Sequence, residues 1–345
     1  MVKVLTWNVA ALRPLPPKLP GGSLASFFKA QKADIVCLQE TKIADYSKLT
    51  KELAVVDGYE SFFSFSGKGY AGIATFARRG SVKWWTDNPF NVEIGSVKQK
   101  ASKTQVLEDP DTAVDTSIGR CVLTDHESFL LLNIYAPNAG RGPEYLARKF
   151  TFYSKLEQCV AKWQAAGRCV IVTGDINTAH SELDIYNPER FAETTGFMPE
   201  ERQWITDFLK KQNMSDAFRR LHPDKRKYSF WDQKRDMRPG NYGWRIDAFY
   251  CSDKLFDTAE KDVVESDILN DVRGSDHCPI TLSLPHIQLS SELKCKDASS
   301  NRPEVNQRRI DGFFSKSVKG QGAKTAAKRE ATTDDENEDK KRLKS

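Results

Sequence analysis

The chain has 345 residues, with 52 Lys and Arg against 47 Asp and Glu and 39% apolar side chains, length enough for a large α/β domain with a substantial core. No apolar run approaches the roughly 18 residues that a membrane span needs, which excludes a transmembrane helix, and the first nine residues lack the apolar stretch and cleavage site of a signal peptide. The seven cysteines, odd in number and never spaced Cys-x-x-Cys, argue against a disulfide framework or a zinc site and read as reduced, mostly buried, intracellular thiols, so the Asn213-Met214-Ser215 glycosylation pattern is expected to be idle.

In chain order, residues 2–9 alternate like a strand, 22–31 read as a helix, 34–39 as a strand and 46–53 as a helix. Strands follow at 61–65 and 72–76. Residues 87–117, polar and rich in Lys, Asp, Thr and Ser, read as a surface insertion. Beyond it come strands at 121–123 and 130–135, a long helix at 143–166, a strand at 169–173, a helix at 199–212, and strands at 246–251 and 279–284. Pro199 followed by Glu200 and Glu201 makes a good helix start, because proline needs no amide partner there and carboxylates suit the positive end of the dipole. Strands occur in adjacent pairs as well as alternating with helices. The expectation is therefore two packed, mixed sheets covered by helices, with no usable internal repeat.

The small positive charge is unevenly placed. Residues 291–345 hold 14 basic and 10 acidic side chains, leaving 38 against 37 for the rest. With Phe313 and Phe314 as its only aromatics, the last segment has too little apolar surface to offset the entropy of ordering it. A folded body over 1–288 and a disordered tail over 289–345 are expected.

The informative residues are polar ones at strand ends: Trp7-Asn8, Gln39-Glu40, Tyr135-Ala136-Pro137-Asn138, Gly174-Asp175-Ile176-Asn177, Arg245-Ile246-Asp247 and Ser275-Asp276-His277. Singly, an Asp or Asn after a strand is most often a turn former or helix cap, and a lone histidine is most often a satisfied core residue. Four acids, three asparagines, a tyrosine and a histidine, all at strand ends, are hard to explain by turn chemistry.

These blocks, with Leu38-Gln39-Glu40-Thr41-Lys42, Gly69-Tyr70-Ala71-Gly72, Asn133-Ile134-Tyr135-Ala136-Pro137-Asn138, Trp244-Arg245-Ile246-Asp247 and Gly274-Ser275-Asp276-His277-Cys278-Pro279, resemble the exonuclease III family of apurinic/apyrimidinic (AP) endonucleases over residues 2–284. The resemblance implies a four-layer, DNase I-like α/β sandwich with its site at one edge of two packed sheets, and makes 1–288 an endonuclease/exonuclease/phosphatase-type catalytic domain. It also implies Mg²⁺-dependent, or Mn²⁺-dependent, hydrolysis of a DNA phosphodiester by a monomer. Such a reaction needs an activated water, a cation on the non-bridging oxygens and stabilisation of the departing oxygen.

Carried over by motif position, the candidate metal set is Asn8, Glu40, Asp175, Asn177, Asp276 and His277. Glu40 is the leading ligand, since Mg²⁺ binds through one or two carboxylates, and Asp276 belongs to the outer metal shell. The candidate catalytic set is Tyr135, Asn138, Asp175, Asn177, Asp247 and His277. Asp175 orients and deprotonates the water, His277 paired with Asp247 stays protonated on a phosphate oxygen, and Tyr135 and Asn138 donate to the same phosphate. Ala10 stands where many relatives place Asp or Asn, so a raised Mg²⁺ requirement is expected.

For the substrate, Phe230, Trp244 and Ile246 occupy positions that form an apolar pocket for a flipped-out abasic sugar in the family, and Arg141 lies on a Gly-rich loop suited to a DNA groove or phosphate. Side chains of these apolar types beside strands are ordinarily core. Lys225, Arg226, Lys227, Lys234, Arg235 and Arg238, interleaved with Tyr228 and Trp231, are the candidate basic face. In the tail, Gln307, Ile310, Phe313 and Phe314 resemble the peptide that binds the PCNA sliding clamp, and Lys324–Arg329 and Lys340–Lys344 resemble nuclear-localisation clusters. The clamp peptide and the block from Gly58 to Ser66 resemble the AP endonuclease 2 branch, whereas the block from Gly196 to Arg202 and Trp244 resemble AP endonuclease 1. DNA with abasic sites or 3′-blocked ends is thus the expected partner. The alternatives are a catalytically weak clamp-bound adaptor and a same-fold phosphatase acting on a non-DNA phosphodiester.

Overall fold

The computed structural model describes residues 1–92, 118–140, 142–257 and 264–306. Twelve strands form two six-stranded sheets. β1 (Val2–Asn8), β2 (Ile35–Gln39), β3 (Tyr59–Ser64), β4 (Ile73–Arg78), β11 (Glu265–Ile268) and β12 (Ile280–Leu284) make the first, in the order β11-β12-β1-β2-β4-β3. β5 (Trp84–Thr86), β6 (Cys121–Asp125), β7 (Leu130–Tyr135), β8 (Val170–Asp175), β9 (Met214–Asp216) and β10 (Asp247–Ser252) make the second, in the order β5-β6-β7-β8-β10-β9. Both sheets are mixed as expected: β1 runs parallel to β2 and β7 to β8, and the other pairings are antiparallel. Reading β12-β1-β2-β4-β3 against β6-β7-β8-β10-β9 gives the same succession of strand directions. The two sheets therefore share one pattern of strand directions, a likeness carried by hydrogen bonding, although β12 comes last in the chain order of strands whereas its counterpart β6 precedes β7.

Alternation explains the layering. Along β1, Leu5 and Trp7 join an outer cluster with Phe27 and Phe28 of α1 (Leu24–Gln31), while Val2 and Val4 face inward. Along β7, Leu130, Leu132 and Ile134 face an outer cluster with Phe152, Leu156 and Trp163 of the helix Pro143–Ala165 and Phe208 of the helix Pro199–Lys211, while Leu131 faces the cluster between the sheets. A parallel pair needs a crossover, and α1 and α3 (Pro143–Ala165) supply it. The result is helix, sheet, sheet, helix. Residues Gln39 and Asn133 sit between the sheets: Gln39 Nε2 donates to Thr6 Oγ1 at 2.8 Å and Asn133 Oδ1 at 2.7 Å, which ties the layers, while Gln39 Oε1 is buried with no partner among the described residues.

Three expectations change. The stretch 46–53 is a 3₁₀ turn at Tyr46–Lys48 followed by the short α2 (Lys51–Ala54), because Asp45 caps the turn and Thr50 starts a second helix. Three strands, β5, β9 and β11, were not foreseen; each has three or four residues, too few to show a period. Residues 289–306, assigned to the tail from composition, pack on the domain: Ser299 Oγ accepts from Phe63 N at 3.0 Å, Trp85 Nε1 donates to Asp297 O at 3.1 Å, and Val305 is buried in the α1-side cluster. The compact unit is Met1–Asn306. The clamp-like peptide at 307–314, both basic clusters of the tail, and most of the 87–117 segment lie outside the described residues. All seven cysteines are free, and all but Cys169 are buried. Among the described residues no helix is long and apolar enough to cross a membrane.

Candidate active site

Strand register delivers the polar residues to one edge. Asn8 pairs with Gln39 at the parallel ends of β1 and β2, placing Glu40 just beyond; Tyr135 pairs with Asp175 at the parallel ends of β7 and β8; and Asp247 opens β10 opposite Asp175. His277 precedes β12, antiparallel to β1, and so returns to the same edge. Gly174 makes the close sheet contact possible: it has φ +129°, and a Cβ there would lie 2.0 Å from Ile134 O. Ala10, Glu40 and Asn177 all hold positive φ near +50° at this edge, backbone conformations that L-residues avoid and that gather at functional sites.

Asp175 is the centre. Asn8 Nδ2 donates to Asp175 Oδ2 at 2.9 Å and to Glu40 Oε1 at 3.0 Å, and its orientation is set because Asn8 Oδ1 accepts from Ala10 N. Asn177 N donates to Asp175 Oδ1 at 2.8 Å. His277 Nδ1 lies 2.8 Å from Asp247 Oδ2, and Nε2 lies 3.9 Å from Asp175 Oδ2. Burial would lower the His277 pKa, but Asp247, Asp175 and Asp276 overcome it and raise it to about 10. That direction favours an imidazolium whose Nδ1–H donates to Asp247 and whose Nε2–H faces Asp175 without bonding it. Burial pushes Asp175 up to about 7, with Asp247 adding to the rise and His277 opposing it. Asp247 Oδ1 is buried with no hydrogen-bond partner among the described residues. Burial, reinforced by Glu40, holds the Tyr135 phenol well above its ordinary range, so it remains a neutral donor.

The donor atoms of Asp175, Asp247 and His277 fall within 4.8 Å of one another. His277 Nδ1 is taken up by Asp247, which leaves Nε2 as the nitrogen that could face a metal or a phosphate oxygen. Glu40, about one-fifth exposed and also 3.2 Å from Lys42 Nζ, and Asp175 remain as hard oxygen donors on one cavity. Three carboxylates, Glu40, Asp175 and Asp247, meet the His277 imidazolium and the Lys42 ammonium, and the remaining negative charge on oxygen donors fits a hard divalent cation. Asn177 contributes its amide oxygen to Asn138 Nδ2, 3.2 Å away, and Asp276 Oδ1 accepts from Ser275 Oγ at 3.0 Å, so both act around the centre.

The cavity, about 460 Å³, contains Glu40, Tyr135, Asn138, Asp175, Asn177 and His277 at one end and Phe230, Trp244 and Ile246 on its wall. Phe230 bridges to both Trp244 and His277, and its ring lies 4.9 Å from the imidazole. Arg141 lies outside the described residues. The basic segment divides: Arg226 and Arg238 donate to backbone carbonyls and Lys227 pairs with Asp267 at 2.7 Å, while Arg235 lines the cavity. Of the six basic residues expected to form one face, three are thus loop ties, and Lys225, Lys234 and Arg235 are exposed.

Other site residues carry no sequence signal. Arg120 donates to Tyr70 Oη and, at 3.2 Å, to Tyr135 O, with its guanidinium 5.1 Å from the Tyr135 ring. Lys149, fully buried, donates at 2.6–2.7 Å to Glu201 Oε1, Asn177 O and Thr178 Oγ1. Glu201 Oε2 in turn accepts from Gly196 N at 2.6 Å, so this ion pair ties the Asn177 loop to the cavity wall at Gly196.

An edge of two like sheets that gathers hard carboxylates, amides and a cationic imidazole defines a phosphoester-hydrolase type of site, and the model of the endonuclease/exonuclease/phosphatase family matches residues 5–277. The chain belongs to that family. Within it the chain groups with AP endonucleases and exodeoxyribonucleases: the Bacillus subtilis exodeoxyribonuclease is 32% identical over 283 residues, 81% of this chain and 98% of the relative. DNA-(apurinic or apyrimidinic site) endonuclease 2 of Xenopus laevis is 31% identical, with 87% of this chain and 61% of the relative covered. Recombination repair protein 1 of Drosophila melanogaster is 33% identical over 81% of this chain, which spans only 37% of that relative's length. The crystal structure of the Xenopus laevis APE2 catalytic domain superposes with a TM-score of 0.74 at 30% identity, covering 89% of this chain and 99% of that one.

Proposed function

We propose that the protein is a divalent-metal-dependent DNA phosphodiesterase that cleaves the backbone 5′ of abasic sites, trims 3′-blocked ends and removes nucleotides 3′ to 5′ in base excision repair. The observation that carries the reading is the Asp175 carboxylate, held by Asn8 Nδ2 and Asn177 N and 3.9 Å from a cationic His277, on the cavity walled by Phe230, Trp244 and Ile246.

In this reading Asp175 accepts the proton of the attacking water; a pKa pushed up to about 7 suits a base working near neutrality. His277 Nε2–H, with its ring oriented by Asp247, donates to a phosphate oxygen and stabilises the charge that builds there. Tyr135 donates to the same group, and Asn138 acts through Asn177, on which it is turned. Mg²⁺ held through Glu40, with Mn²⁺ as its substitute, would polarise the phosphate and offset the surplus carboxylate charge. Phe230, Trp244 and Ile246 then select a sugar without a base, whose extrusion costs little because nothing is unstacked. Beyond the domain, Gln307, Ile310, Phe313 and Phe314 would bind the PCNA sliding clamp and the basic clusters would direct the chain to the nucleus.

The test is the purified chain on three duplexes, one with a synthetic abasic site, one with a 3′-blocked nick and one undamaged, with and without Mg²⁺. Metal-dependent cleavage of the first two is expected. No cleavage of either would point to a non-DNA phosphodiester or a silent adaptor.

A further inference from the structure

The cavity continues past the three apolar residues that would hold a base-less sugar. Its far wall is aromatic: Phe191 packs on Trp244 with ring centroids 5.2 Å apart, Tyr186 packs on Phe191 at 5.3 Å, and Tyr242 packs on Tyr186 at 5.4 Å. Four rings in contact thus run from the catalytic end to the mouth. The outermost, Tyr242, is 53% exposed, and among the described residues only it and Met1 are exposed large apolar side chains. An aromatic ring left in solvent at the mouth of a cleft loses burial energy unless something covers it. The surrounding backbone is cut away to hold it there: a Cβ at Gly240 would meet the Tyr242 ring at 2.4 Å. Arg235, its side chain about 70% exposed and loosely paired with Asp232 at 3.6 Å, lines the same cavity and brings a cation to it.

An abasic sugar offers no π face to such a wall. A nucleobase does, stacking on aromatic side chains irrespective of its identity, with a phosphate alongside for a guanidinium. We infer that Tyr186, Phe191 and Tyr242 form a stacking subsite for the unpaired base of a 3′-terminal nucleotide, with Arg235 on its flanking phosphate. The inference rests on the proposed nuclease reading and assigns the residues that would hold a base-bearing 3′ end during 3′-to-5′ removal. Trp244 is the shared element, touching both the sugar pocket and the stacking wall, so one cleft serves two ends of the substrate range. Tyr242 is a specificity residue in this scheme, with no part in bond breaking.

The experiment uses the full chain carrying Asp175→Asn, without added divalent metal so that cleavage is suppressed, and a duplex whose 3′-terminal residue is an unpaired 2-aminopurine, fluorescent until stacked. Saturable quenching is expected. Adding Tyr242→Ala should remove most of the quench and weaken binding of that end on the order of fivefold or more, while Tyr242→Phe restores both and binding of a 3′-abasic end falls far less. Quenching untouched by Tyr242→Ala, or equal losses on the base-bearing and abasic ends, would overturn the subsite. A protein that binds and cleaves abasic DNA without ever quenching 2-aminopurine would sink the subsite and leave the nuclease reading standing. One that binds no DNA would sink both.

Discussion

Two buried charge clusters lie back to back, sharing the Arg245-Ile246-Asp247 segment, and they are built to opposite ends. Arg245 donates in a fork to Asp184 at 2.7 and 2.9 Å and to Asp216 at 2.8 Å, and Arg219 adds a second cation on Asp184 at 2.5 Å. Two guanidinium groups against two carboxylates balance. Although burial would raise it, Asp184 is held well below the ordinary carboxylate range by Arg245 and Arg219. Two residues on, Asp175, Asp247 and His277 are just as buried, yet Asp175 is driven up to about 7 and one oxygen of Asp247 has no hydrogen-bond partner among the described residues. Burial is common to both. Charge balance separates a scaffold from a site, because an unbalanced buried cluster is stable only as a binder of protons, cations or substrate.

Breaking the balanced cluster should have the largest effect. Arg245→Met leaves Asp184 and Asp216 short of a cation and is expected to cost about 3–5 kcal/mol in urea unfolding. A loss near zero would show that Arg219 alone suffices and that the cluster is not the scaffold.

Titration sharpens the contrast. Asp175 and His277 both bind protons more tightly when folded, so each contributes stability at low pH. For Asp175 that contribution is complete below the ordinary 3.8 and lost as pH rises to about 7; for His277 it is complete below 6.5 and lost as pH rises to about 10. Asp184 has the reverse sign, stabilising above about pH 4 and losing that contribution on acidification. Urea midpoints of Arg245→Met and wild type should therefore be well separated from pH 5 upward and draw together progressively as pH falls below about 4. Curves that stay parallel into acid would contradict the assignment.

The smallest effect concerns Ala10, which sits at φ +56° with no side-chain oxygen to offer. Ala10→Asn is expected to gain up to about 1 kcal/mol, since Asn tolerates the left-handed region. It should also lower the Mg²⁺ concentration for half-maximal cleavage. An unchanged Mg²⁺ titration would show that residue 10 lies out of reach of the metal.

Much of this was legible before any coordinates. Asn8, Glu40, Asp175, Asp247 and His277 each follow or precede an apolar strand, and strands converging at an edge bring such residues together whatever their separation in sequence. What stayed hidden depends on side chains meeting across the fold. Arg120 reaches Tyr70 and Tyr135 only because β6 pairs with β7 and the sheets face each other. Lys149 and Glu201 lie on separate helices, where a Lys and a Glu ordinarily signify solvent. Arg226, Lys227 and Arg238 looked like a nucleic-acid face because a charge run does not show which carbonyls and carboxylates will capture it. The tail was set too early for a similar reason: Ser299 and Val305 look like linker residues until sheet one supplies their partners.

The most direct test of a poised Asp175 pairs two measurements on one variant. For Asp175→Asn, single-turnover cleavage of abasic duplex at pH 8 with Mg²⁺ should fall about 10²–10⁴-fold, while the urea midpoint at the same pH equals or exceeds that of wild type, because a buried, unbalanced charge has been removed. Cleavage near the wild-type rate, or lost cleavage accompanied by a clearly lower midpoint, would contradict the account.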